Sequence, residues 1–177
     1  MSGVEMDKAV PALLTESFAR NGRVNAALLA ALSPADLALE DAPEGNSVGE
    51  LLAHMAGFRR GWLENISPPH AEGLSKVAVS KVAGDADLDA LRAARAAFTA
   101  GDAAALKAVQ DALAEGRAFA DPWKEGAYAS NPAHFLQHTV VHDSHHRGQI
   151  ASLLRRSGWT KERLEQLEEA TWPVWRE

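Results

Sequence analysis

Apolar residues recur at helical spacing through most of the 177-residue chain, and no segment alternates as a β-hairpin requires. The first helix is expected from about Asp7 to Leu32, with Pro11 near its start, Gly22 inside it, and Ser33-Pro34 as its stop. Glu40–Asn46 is a turn cluster. Ser47 and Glu50 then form an S-x-x-E capping box, in which each side chain satisfies an orphan N–H of the first turn. This second helix should continue to about Asn65, ahead of Ser67-Pro68-Pro69.

The stretch from Pro68 to Gly84 has no period and reads as a surface loop. From Asp87 to about Phe119 the sequence is alanine-rich and helical, but Gly101-Asp102 interrupts it, predicting one kinked helix or two stacked ones. Asp121–Ser130 is a loop. Asn131 and Pro132 supply the N-cap and first turn of a fourth helix, which runs to about Ser157 and stops at Gly158. Thr160–Ala170 is a last amphipathic segment, leading into a tail with Trp172 and Trp175. The expected fold is all-α: an antiparallel four-helix bundle with an additional C-terminal helical segment, formed by residues 1–177 as one domain.

Composition narrows the function classes. With 46% hydrophobic and 24% charged residues the chain can bury a core. It has no cysteine, so a transition-metal site must use imidazole and carboxylate, and any reacting thiol must come from outside the chain. The formal net charge is −6 and no basic block stands out beyond the pairs Arg59–Arg60 and Arg155–Arg156, which read as solvated helix faces. That argues against nucleic acid as a partner. The N-terminal stretch lacks the pattern of a signal peptide, and no long uncharged apolar run predicts a membrane span. A cytoplasmic protein is expected.

Five of the seven histidines fall on the predicted fourth helix: His134, His138, His142, His145 and His146. A polar face that happens to be histidine-rich is the bland explanation, and helical geometry separates it from a site. At ~100° per residue from His134, the apolar arc of Phe135, Ile150, Leu153 and Leu154 centres near ~140°. His146 falls within ~20° of that centre and His142 within ~60°, whereas His138 and His145 lie ~100° or more away. Two inward imidazoles one turn apart are costly in a core unless paired, and their spacing lets both nitrogens reach one ion.

His54, on the second helix, lies at the edge of the apolar face of Val48, Leu51, Met55, Phe58 and Trp62. Alone it reads as a boundary histidine; beside half a site it becomes the third metal ligand. Gly57 and Gly61 on the same strip leave room for a substrate or for close helix approach. Asp143 faces inward, where a carboxylate can orient a ligand imidazole, cap a neighbouring segment or act as a base; orientation or a structural use is preferred over the base. Arg147 and Gln149 flank the site, either to hold substrate or to tie helices together.

The run His142-Asp143-Ser144-His145-His146-Arg147-Gly148-Gln149-Ile150, with Leu153-Leu154 and Gly158, resembles the signature of the DinB/YfiT-like superfamily. Ser47-Val48-Gly49-Glu50-Leu51-Leu52-Ala53-His54 resembles that superfamily's first-ligand motif. The resemblance spans nearly the whole chain, from the first helix to about Gly158, and implies a four-helix bundle with ligands His54, His142 and His146. It also implies nickel or zinc as the ion, homodimer formation, and transferase or isomerase activity with a low-molecular-weight thiol such as bacillithiol or mycothiol.

Three protein ligands leave a coordination position for water or substrate, as catalytic sites do. A divalent-metal-dependent enzyme acting on a small molecule is therefore expected, either a thiol-dependent transferase or isomerase or a hydrolase. The competing class is a non-catalytic metal-binding or interaction protein in which the ion staples the bundle.

Overall fold

The structure is a computed structural model that describes residues 3–177 apart from 41, 43 and 78–84, with side chains described outside 3–10 and 85–87. Among the described residues there are six α-helices and no strand: α1 (Gly3–Ala31), α2 (Val48–Ile66), α3 (Pro68–Ala71), α4 (Asp85–Ala114), α5 (His134–Arg156) and α6 (Lys161–Thr171). Short 3-10 turns follow α1 at Pro34–Ala38 and α6 at Trp172–Trp175. No described helix is long and apolar enough to cross a membrane.

Local chemistry accounts for the helix ends. Both arms of the expected capping box form at α2: Ser47 Oγ accepts from the Glu50 N–H at 3.2 Å, and Glu50 Oε2 accepts from the Ser47 N–H at 2.8 Å. Asn131 Oδ1 accepts from the Ala133 N–H at 2.8 Å, one turn before α5 becomes regular. Gly158 ends that helix with φ +93°, a conformation that costs glycine nothing. The Thr160 side chain accepts from the Arg163 N–H to open α6.

Gly101-Asp102 does not interrupt its helix. α4 is one continuous element and ends at Ala114, short of the expected Phe119. Gly101 is there for space: a Cβ would lie 3.1 Å from Cβ of Arg59, which crosses α4 at this point. The expected surface loop 68–84 contains the short α3, and its residues 78–84 lie outside the described part.

The four long helices form the bundle, and their directions follow from which ends share a core. Leu28, Leu29 and Leu32 of α1 pack with Ile150, Leu153 and Leu154 of α5, while Phe18 packs with Phe135 and Leu136, so α1 and α5 run parallel. Likewise Leu52 shares a cluster with Ala90 and Leu91, and Leu63 and Ile66 with Ala108 and Ala112, so α2 and α4 run parallel. The two pairs oppose each other, and this refines the expected antiparallel order. The 19 residues of α2 cover ~28 Å. An extended chain advances ~3.3 Å per residue, so the connection 67–84 can return to the starting end.

Between the two apolar clusters lies a polar layer. Asn21, Asn25, Arg59 and Asp143 are each at most 1% exposed, and the first three all donate hydrogen bonds to Asp143. α6 docks through a second network. Asp36, at the 3-10 turn after α1, accepts from Trp159 Nε1 at 2.7 Å and from Arg163 Nη2 at 2.8 Å. The Arg163 guanidinium also lies over the Trp159 ring, 3.6 Å from its centroid.

Candidate metal centre

α2 and α5 run antiparallel along one seam, and that seam brings three histidines together. His142 and His146 are one turn apart on α5, and His54 reaches them from α2. One ligand atom from each lies within 4.8 Å of the others. His54 Nε2 and His142 Nε2 are 3.0 Å apart. Ring centroids are separated by 4.9 Å for His54–His142, 4.7 Å for His54–His146 and 4.5 Å for His142–His146.

The cluster sits at the rim of the interior, not within it. His142 and His146 are half-buried and His54 is exposed. The buried arc of α5 includes Thr139, Asp143 and Ile150, each 0% exposed, and centres nearer ~155° than ~140° on the wheel. His146, at ~120°, lies nearer this centre than the buried Phe135 and Leu153, at ~100°, so its partial exposure is set by the lack of a covering neighbour and not by the wheel. Small molecules can therefore reach the cluster from solvent.

The ring nitrogens are already sorted. Gln149 Oε1 lies 2.7 Å from His146 Nδ1, which fixes that nitrogen as the N–H donor and leaves Nε2 free. His142 Nδ1 faces Asp143 Oδ1 at 3.5 Å, the outer limit of a hydrogen bond. Phe58 stacks on the His142 ring with centroids 3.9 Å apart, holding its plane. Burial lowers the pKa of His54, and the adjacent His142 and His146 lower it further. Burial also lowers that of His146, against the hydrogen bond with Gln149, which raises it. Both therefore keep a lone pair at neutral pH.

Asp143 is 0% exposed and takes a two-point ion pair from Arg59, Nη1 to Oδ1 at 2.8 Å and Nη2 to Oδ2 at 2.6 Å. Asn21 and Asn25 donate to Oδ2 at 2.6 and 2.7 Å. Burial alone would raise its pKa, but contacts with His142, Arg59 and Asn25 hold it well below the usual carboxylate range. A carboxylate so saturated is no proton acceptor, which removes the base role and leaves orientation. Arg147 donates to Oδ1 of Asn21 and of Asn25, both at 2.6 Å, so it ties α5 to α1. Gln149 holds a histidine.

The remaining histidines lie elsewhere. His134 and His145 are exposed. His138 is also exposed; its Nδ1 is 2.8 Å from Tyr128 Oη, and its ring meets Phe58 edge-on. His70 joins α3 to α4 through Asp111 at 3.1 Å. Reasoning from sequence missed Arg59, Asn21 and Asn25. Arg59 carried a signal: at ~100° per residue from Glu50 it falls at ~180°, between Met55 and Leu52 on the buried arc.

The donor set fits a divalent transition metal. Nitrogens bound at ~2.0–2.1 Å in a tetrahedral arrangement lie ~3.3 Å apart, close to the His54–His142 separation. Beside the cluster runs an open groove of about 520 Å³ over Gly57 and Gly61, bordered by Phe58, Trp62, Lys76 and Trp123. A Cβ at either glycine would meet nothing within 4 Å, so the expected free space is present.

These features define an all-α bundle with a three-histidine cluster that could hold a metal ion. The chain belongs to the DinB family, whose model matches residues 6–177. Comparison with curated proteins and with solved structures gives no significant match.

Proposed function

We propose that the protein is a divalent-metal-dependent enzyme whose ion is held by His54, His142 and His146. The observation that carries this reading is the convergence of three ligand atoms within 4.8 Å beside an open groove. Zinc or nickel suits three imidazoles. Such an ion would supply Lewis acidity, making a thiol or a water nucleophilic near neutral pH.

The chain's own part is positioning. His54 spans the seam so that the site closes only when α2 and α5 are docked. Gln149 fixes the tautomer of His146, while Phe58 and Asp143 fix the orientation of His142. The Arg59 fork keeps Asp143 ionised and immobile. With no cysteine in the chain, transfer or isomerisation through a thiol would use a small thiol bound in the groove. Hydrolysis would use water there.

The test is metal analysis of untagged protein, followed by turnover assays with low-molecular-weight thiols and with simple esters. About one ion per chain is expected, falling to trace in His146→Ala, together with activity that follows metal content. Full occupancy with no turnover of either class would favour the stapling role instead.

A further inference from the structure

We propose that the groove beside the histidine cluster takes a flat aromatic carboxylate, with its ring over Gly57 and Gly61 and its acid group towards Lys76. The inference rests on the metal-centre reading for the reaction but on separate residues for recognition.

Shape gives the first argument. α2 presents Gly57 and Gly61 one turn apart, so the groove floor is bare backbone, against which a planar group can lie in close contact. The volume, about 520 Å³, is that of a small-molecule site. A larger groove of about 600 Å³ between α1 and α4 is lined mainly by apolar side chains, and its only carboxylate, Asp102, is answered by Arg59.

The walls give the second. Trp123 is 44% exposed although it packs on Trp62, with ring centroids 5.2 Å apart and planes at 72°. Trp62 meets His138 at 5.5 Å, His138 meets Phe58 at 5.0 Å, and Phe58 stacks on His142. A continuous path of rings thus leads from the groove's outer end to the candidate metal ligand. Wet, edge-to-face aromatics of this kind favour another π-system over an alkyl chain.

Charge gives the third. Arg60 also borders the groove but is ion-paired with Glu64. Lys76 makes no ion pair or hydrogen bond with any described residue, so the groove offers one unanswered cation in a chain of net charge −6. An anionic group on the ligand answers it.

The probe is 2-naphthoate, titrated by calorimetry into the full chain, metal-free and zinc-loaded. Uncharged 2-naphthylmethanol and non-aromatic cyclohexanecarboxylate serve as controls. Naphthoate should bind roughly two- to fivefold more tightly than either control, since one contact with an exposed charge or one stacked face is worth about that factor. Gly61→Leu should abolish binding by filling the floor, with zinc uptake unchanged. Lys76→Gln should weaken naphthoate to the level of naphthylmethanol and leave naphthylmethanol as it was. Naphthoate binding that is absent, or indifferent to both substitutions, overturns the proposal. Zinc uptake without naphthoate binding sinks the groove alone. Naphthoate binding blocked by Gly61→Leu in a chain that takes up no zinc upholds the groove and sinks the metal centre.

Discussion

Arg59 of α2 and Asp143 of α5 meet as a two-point ion pair in the middle of the bundle, with neither side chain exposed to solvent. Asp143 also touches His142, so the pair ties the interior to the surface cluster through one residue step.

Breaking this pair should cost far more than breaking a surface bridge. Asp143→Ala leaves a guanidinium at 0% exposure whose remaining hydrogen-bond partners, among the described residues, are Asp102 and the Met55 carbonyl. A loss of about 3–5 kcal/mol is expected in urea unfolding at pH 7. A loss below about 1 kcal/mol would mean that water reaches Arg59.

Gln149 separates orientation from stability. It is exposed and touches His146, so Gln149→Ala should leave the melting temperature unchanged while weakening zinc binding about 10–100-fold. Gln149→Glu, which still offers an oxygen to Nδ1–H, should recover most of that loss. Competition with a chromogenic chelator measures both.

Removal of the ion should leave the fold standing, because neither apolar cluster nor the polar layer is built from His54, His142 or His146. A tightly held ion adds about 4 kcal/mol by mass action, or ~8–16 °C for a chain of this size. The metal-free protein should therefore melt cooperatively, at most ~16 °C lower by calorimetry. Loss of a cooperative transition would identify the ion as a staple.

Asp36 predicts an acid dependence. Burial would raise its pKa, but hydrogen bonds from Trp159, Ser33 and Arg163 lower it below the ordinary value. A depressed folded pKa contributes stability that is complete above the unfolded value of ~3.9 and is lost as pH falls through the folded one. Asp36→Asn should therefore be less stable than the parent at pH 7, with the gap closing below about pH 4. Urea melts at pH 7, 5 and 3 would show it, and a gap that widens on acidification would refute the network's role.

The elements whose cause is local could be read from the sequence: the Ser47–Glu50 box, the Gly158 stop, the one-turn spacing of His142 and His146, and the inward Asp143. What escaped was set by partners far along the chain. Arg59–Arg60 looked like a solvated pair because a charge pattern does not say that Asp143 waits 84 positions later. Gly101-Asp102 looked like a break because its glycine answers to a side chain on another helix. The direction of α4 depended on a connection whose length was visible but whose course was not.

The wide separation of the donors also bears on biogenesis. His54 precedes His142 by 88 positions, so no partial chain that stops short of α5 can assemble the tridentate set. If the three histidines hold an ion as proposed, coordination would come only after α5 is made, so the ion could join α2 to α5 but could not guide any earlier step. Under metal scarcity such a chain would accumulate as a folded, fillable apoprotein, ready to respond when supply returns.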